Sequence, residues 1–324
     1  MEPPRRAAAG RGPGRPRGRR PGERAPSRRL RRRAGRLPAG GRRRAVRPAP
    51  GRHPAGRRPR RAARAPALVR AARRLSPWRC AVSTYVFSPE WARERDRLLA
   101  LEELFDDASA RHLAGPERVG PTGRVVATDV DPRFIDARGL DNVEVRRHDI
   151  LTDPLEEGAF DVAHARAVIE HVADHRGALR RVVAALRPGG WAVIEDSHFG
   201  GPMAAALGCY VHPAEHGPLV GHLYRAVDTL FSAAGADASF GPRLLGELEA
   251  VGLEGVGGVV HAPLVAGGTD NWARGSLEQL GPRLVAAGLA TTDDVDRFMA
   301  MADDRASSYA PPFMVTAWGR RPMA

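Results

Sequence analysis

Six ionisable residues stand at or just past the ends of short apolar runs between positions 123 and 196. They are Asp129, Asp149, His164, Arg166, Glu195 and Asp196. An ionised carboxylate offers two oxygens and accepts a pair of hydrogen bonds from a diol or an amine. An imidazole titrates near neutrality and can move a proton. On that ground His164, His171 and His198 are the candidate bases, and no catalytic residue is fixed by type alone. His171 and His175 are four apart and would share a helical face. Without a clear third ligand they are not read as a metal pair, so no metal is expected.

The runs that carry these residues are Gly123-Arg-Val-Val-Ala-Thr-Asp129, Val143-Glu-Val-Arg-Arg-His-Asp149-Ile150, Phe160-Asp-Val-Ala-His-Ala-Arg166 and Leu186-Arg-Pro-Gly-Gly190-Trp-Ala-Val-Ile-Glu-Asp196. Each is apolar and β-branched, turn residues precede it, and it ends on a polar residue. An amphipathic pattern, Ala178, Leu179, Val182, Val183 and Leu186, fills the space before the last run. This alternation predicts an α/β fold with an open sheet and helices on both faces. Ligands of such sheets bind beyond the carboxyl ends of the strands, where the six residues lie.

The ordered series resembles the class I S-adenosylmethionine-dependent methyltransferases, a Rossmann-like fold, from their second strand to their fifth. The resemblance implies S-adenosyl-L-methionine as cofactor and names its contacts. Asp129, followed by Val130, would accept hydrogen bonds from both ribose hydroxyls. Asp149 would read the adenine amino group while Ile150 packs on the ring. Ala165 and Arg166 would face the cofactor at the end of the fourth strand, and Glu170-His171 resembles the Glu-His often found at the pocket rim. Two plainer readings stay open. An Asp after the second strand can cap the helix that Pro132 would start, a role Asp131 fits better; Asp149 can be a simple turn residue.

One departure from the family is large. A first strand and a Gly-x-Gly turn should precede Gly123, because glycine lets backbone approach the methionine part of the cofactor. Instead, Arg111-His-Leu-Ala114 runs into Gly115-Pro-Glu-Arg-Val-Gly120-Pro-Thr-Gly123, a turn-rich connector with the wrong glycine spacing. Roughly 25 residues are missing by the family pattern, so the first strand reads as deleted. The sheet must then close a gap of about 4.8 Å by pairing its second and fourth strands, or stay open.

Charge divides the chain. Residues 1–80 hold 28 arginines against Glu2 and Glu23, and the chain has no lysine, so 23 arginines face 35 acids in 81–324. Residues 1–81 are Arg, Pro, Gly and Ala with little to bury, and are expected to be a disordered tail. Such an arm could touch nucleic-acid phosphates, but only Trp78 is available to stack on bases, and GC-rich codons yield the same composition, so nucleic acid is not the expected partner. Val82-Ser-Thr-Tyr85 resembles a natural start, which places the folded domain at 82–324. Two cysteines, Cys80 and Cys209, suggest no disulfide framework and a reducing cytoplasmic setting. No apolar run reaches the roughly 18–20 residues of a membrane helix.

Ser88-Pro89 should open the first helix, with Trp91, Leu98, Leu99, Leu101, Leu104 and Phe105 inward and Glu94 among the outward charges. Tyr85 to Trp91 resembles a segment that packs near the cofactor mouth. Lid elements over an acceptor are expected at about 197–240 and 268–310. Met203, Tyr210, His212, His216, Tyr224 and Phe231 are candidate lining residues. Helices are expected at Leu219–Phe231, Pro242–Val251, Leu277–Ala287 and Thr292–Ala302, and a final strand pair at Val259–Val265 and Phe313–Trp318. The expected function is methyl transfer to a small-molecule acceptor; the alternative, raised by the missing glycine turn, is a non-catalytic relic or binding protein on the same fold. The acceptor and the oligomeric state are not legible.

Overall fold

Parallel pairing of two β-branched runs forms the first sheet. In the computed structural model, which describes residues 85–112, 119–120, 122–137 and 139–323, β1 (Val125–Asp129) pairs with β2 (Val143–Arg147) in the register Val125↔Val143 to Asp129↔Arg147. No residue of either strand is fully buried. The expectations for the tail, for a start at Val82 and for most of the 113–121 connector lie outside the described residues.

A second sheet holds the larger core. Its order is β3 (Phe160–Arg166), β4 (Leu186–His198), β9 (Phe313–Arg320), β6 (Glu254–His261). β3 runs parallel to β4, and β9 is antiparallel to both of its neighbours. The final antiparallel pair is as expected, although β6 starts earlier than Val259. Among the described residues β1 and β3 share no ladder, so the strands that would flank the family's first strand stay apart, and the sheet is split in two.

Alternation along β4 gives the four-stranded sheet two different faces. Ala192 and Ile194 pack with Val315 and Ala317 under α2 (His175–Ala185) and α5 (Leu244–Ala250), joined by Leu179, Leu244 and Leu248. The opposite face meets α1 (Glu94–Ala110), where Leu101, Phe105, Trp272 and Met314 cluster. A third core fills the part expected from the sequence to form a lid: α3 (Pro202–Leu207), α4 (Gly217–Ala234), α6 (Trp272–Ala286) and α7 (Thr292–Asp303) enclose Leu223, Phe231, Leu280, Phe298 and Tyr309. Each such side chain contributes about 1.5–3 kcal/mol when fully buried. Three two-residue strands, β5 (Val211–His212), β7 (Val265–Ala266) and β8 (Ser308–Tyr309), brace the lid.

Several expectations need correction. α1 begins at Glu94, not at Ser88, because side chains of α6 hold the preceding turns: Gln279 Nε2 donates to the Ser88 carbonyl at 2.9 Å, and Arg283 donates to that of Val86. Glu94, expected outward, is 2% exposed, whereas Leu99 is 49% exposed. Pro132 opens a single 3-10 turn and no helix; Ile135 is already extended, and Asp131 makes no cap bond but pairs with Arg133. The Ala- and Gly-rich stretch before Gly217 contains α3. The cap of α7 is Thr291, in a reciprocal bond with Asp294.

Two glycines are required by close approach. A Cβ on Gly208 would sit 2.4 Å from the Gly217 carbonyl oxygen, where α3 and α4 meet. A Cβ on Gly241 would sit 2.8 Å from the Asp196 carbonyl oxygen, and the bare Cα there brings Phe240 and Leu244 against the end of β4.

Candidate active site

The site is assembled from chain turns at the carboxyl ends of β1, β3 and β4. At the end of β1, Asp129 is exposed, and its Oδ1 accepts from the Asp131 amide at 2.8 Å. Although the residue as a whole is open to solvent, its carboxyl loses water where it borders the cavity described below, and this desolvation, more than the charge of Asp131, lifts it above the ordinary value. Beside it, His148 donates its amide to the Asp129 carbonyl, so β1 and β2 end together. Asp149 follows in a tight turn: its Oδ1 accepts from the Leu151 amide at 2.8 Å, and its own amide donates to Asp153. Asp149 therefore does act as a turn residue. Val130 is 46% exposed, while Ile150 packs on the core under α2.

At the end of β3 the backbone is strained. Ala167 has φ of 52°, a left-handed conformation that costs a residue with a Cβ about 1–2 kcal/mol. Its amide donates to the Glu195 carbonyl at 2.7 Å, which holds the kink. The kink throws Ile169–His171 into a 3-10 turn that carries Glu170 and His171 inward. Asp196 secures this turn: its Oδ1 accepts from the Glu170 amide. Glu170 in turn accepts from the Ser197 amide at 2.9 Å and from its hydroxyl. Burial, against these two bonds, pushes the Glu170 carboxyl up to about 7. Burial and the neighbouring Glu170 push Asp196 well above the carboxylate range.

Glu195 shows the opposite outcome. Burial alone would raise its pKa, yet His164 Nε2 at 2.9 Å, Ser109 Oγ at 2.6 Å and Thr316 Oγ1 at 2.6 Å draw it down to about 2. This ties His164 to a structural carboxylate. Arg166 is also engaged, with Asp106 at 2.7 Å and Ser109 Oγ at 3.1 Å. Ala165 packs against the core under α2.

A cavity of about 150 Å³ lies between these turns and the lid. Asp129, Arg166 and His171 line it from the sheet side, and Tyr224, Phe231 and Trp272 from the lid side. Of the cofactor contacts expected from the sequence, Asp129 and Arg166 reach it; Val130, Asp149, Ile150 and Ala165 do not line it. Of the candidate bases, only His171 does. Among the candidate lid residues, Tyr224 and Phe231 line it, whereas Tyr210 is 48% exposed and Met203, His212 and His216 are not part of the lining. His171 lies in the 3-10 turn and His175 stacks on Phe240 from the first position of α2, so they share no helical face. Arg97, Trp272 and Ser276 also line the cavity. No local pattern in the sequence marks them, because tertiary packing alone brings them there.

The residues present suit the nucleoside half of a sulfonium cofactor. Asp129 and Asp149 stand at adjacent strand ends, and the carboxylate bonds described for them come from backbone amides within their own turns. Each carboxylate can accept further hydrogen bonds from a ribose or a purine. Among the described residues no glycine turn lines the cavity.

Residues 107–194 match the family model described as Methyltransferase domain. A protein of transposon TN4556 from Streptomyces fradiae is 40% identical over 83 residues, which is 24% of each chain. Methyltransferase str2 of Strobilurus tenacellus is 38% identical over 78 residues, 24% of this chain and 28% of that one. The chain thus spans about a quarter of the length of the curated relatives it matches. The crystal structure of the YcgJ protein from Bacillus subtilis aligns at 15% identity with a TM-score of 0.39, covering 65% of this chain and 90% of that one.

Proposed function

We propose that this chain, whose residues 107–194 match the methyltransferase-domain family model, transfers a methyl group from S-adenosylmethionine to a small acceptor. The observation that carries the reading is one of position. Asp129, at the end of β1, lines the mouth of a cavity whose other wall is the aromatic underside of the lid. A donor held by its ribose at Asp129 and its adenine at Asp149 and Ile150 would direct its remaining half towards that cavity. The bound cofactor supplies the reactive methyl; the protein supplies placement and exclusion of water. Val130, Ala165 and Arg166 complete the proposed cofactor-facing set.

Calorimetric titration with S-adenosylhomocysteine tests this reading. Saturable one-site binding, weakened at least tenfold in Asp129→Asn, is the expected result. Absence of any heat in the wild-type chain would remove the enzyme reading. The split sheet favours a second reading, a non-catalytic protein on the same fold. Binding of the nucleoside product without transfer to any acceptor would select it.

A further inference from the structure

β6 is an edge of the four-stranded sheet. Among the described residues it forms a ladder with β9 on one side and with no strand on the other. A free edge presents a row of unpaired backbone N–H and C=O groups, and folded proteins usually guard it with charge, proline or a covering element. Between Gly255 and His261 this edge has neither an acid, an arginine nor a proline. The longer stretch Gly255–Gly268 holds no Asp, Glu, Lys or Arg, in a chain where 27% of residues are charged. Nor is the edge covered: Val259 and Val260 are 36% and 56% exposed.

Register with β9 places these two valines on opposite faces of the sheet. Val259 lies across from Thr316, whose hydroxyl reaches Glu195 on the α1 side. Val260 lies across from Val315, which belongs to the core under α5. The glycines before them complete the pattern. A Cβ on Gly257 would sit 2.9 Å from the Trp318 ring, and a Cβ on Gly258 would sit 2.7 Å from Leu245 Cδ1. Trp318 is half-buried and Leu245 is 38% exposed. Each face of the edge therefore shows an apolar side chain laid over a bare glycine, with an exposed valine beside it.

We propose that two copies of this chain join edge to edge through β6, antiparallel about a twofold axis at Gly258, so that two four-stranded sheets become one of eight strands. Such an axis stands perpendicular to the sheet and pairs residues that share a face. Gly258 is the midpoint of the charge-free run Gly255–His261, so an axis there pairs the whole run and leaves Glu254 beyond its end. Val259 of each copy then stands opposite Gly257 of the other, against the edge of the Trp318 ring. Val260 stands opposite Val256, itself only partly buried, and the two Leu245 side chains meet across the axis. The surface is its own complement, as an isologous contact requires; an unrelated peptide added to the edge would use the backbone groups without this side-chain match. No residue of β6 lines the cavity at the strand ends, so the contact and the methyl-transfer reading stand independently.

Sedimentation velocity of the full chain tests this, at salt high enough to screen the arginines of residues 1–80. It should give about 70 kDa, twice the 34.9 kDa of one chain. Val260→Lys places an ammonium in the contact without a partner and should raise the dissociation constant at least roughly tenfold. Its circular dichroism melt should not change, because the position is exposed in the single chain. Leu140→Lys, at another exposed apolar site ahead of β2, should leave the mass at two chains. Amides within 256–260 should exchange more slowly in concentrated than in dilute wild type, and Val260→Lys should remove that difference. A wild-type chain that sediments singly overturns the proposal. So does a two-chain mass that Val260→Lys leaves intact, which would place the contact elsewhere. An assembly larger than two also overturns it, since a closed twofold ends at two.

Discussion

The two sheets divide the labour of the site unequally. β3, β4, β9 and β6 form a platform whose central strands are closed to solvent along most of their length, with a core on each face. β1 and β2 carry the proposed nucleoside contacts, Asp129 and Asp149, on a parallel pair with no fully buried residue. An isolated two-stranded pair is marginal in water. Here exposed ion pairs, Arg124 and Arg146 with Glu144 and Glu156, dress one face of it, and such pairs add little stability. The proposed acceptor end of the site therefore rests on a well-buried platform, and the proposed cofactor end on a strand pair with little burial. Among the described residues no strand lies between β1 and β3, so the inner edges of both stay uncovered by a ladder.

The largest effect that can undo this contrast is at Glu195. Removing the carboxylate in Glu195→Ala leaves His164, Ser109 and Thr316 without their common partner and should cost about 3 kcal/mol or more in denaturant unfolding. The same residue sets a pH dependence. Its folded pKa of about 2 lies below the unfolded value of about 4.3. Its contribution is complete above about pH 4.3 and is lost as pH falls through about 2, so acid unfolding of wild type should flatten in Glu195→Ala over that window. A variant as stable as wild type would show that the platform is not held by this node.

Next is Ala167→Gly, which should raise stability by about 1 kcal/mol by relieving the left-handed strain. A loss instead would mean that the methyl group does more in packing than in strain. Asp129→Asn should move stability by less than about 0.5 kcal/mol, as expected of an exposed site, while weakening nucleoside binding; a large destabilisation would make Asp129 a structural turn residue. The smallest effect is at Glu156→Gln, which should leave the melting temperature unchanged within scatter at moderate salt.

What can be read from the sequence follows the same division. The strands in chain order, the helix before β4, the later helices and the final antiparallel pair are legible, because β-branched runs favour extended chain and apolar periodicity marks helices. The resemblance points to His171, which the structure turns inward into the cavity lining. The partners of these residues are not legible. Glu94 looks like a surface residue of an amphipathic helix, and only the fold shows it buried against Arg97. His164 looks like a free base until Glu195 is seen 2.9 Å away. Trp272 and Ser276 lie far along the chain from His171, and no local pattern links them. Pro132 promises a helix, but with Ile135 extended the chain turns back to β2 after a single 3-10 turn.

Hydrogen exchange of the full chain, with and without saturating S-adenosylhomocysteine, decides whether a nucleoside sits on these strand ends. Protection should appear at 129–131, 149–152 and 166–171, with β6 unaffected and with β1–β2 exchanging faster than β4 and β9 in the free protein. Unchanged exchange at 129–131 and 149–152 under saturating ligand would be incompatible with a cofactor held by Asp129 and Asp149.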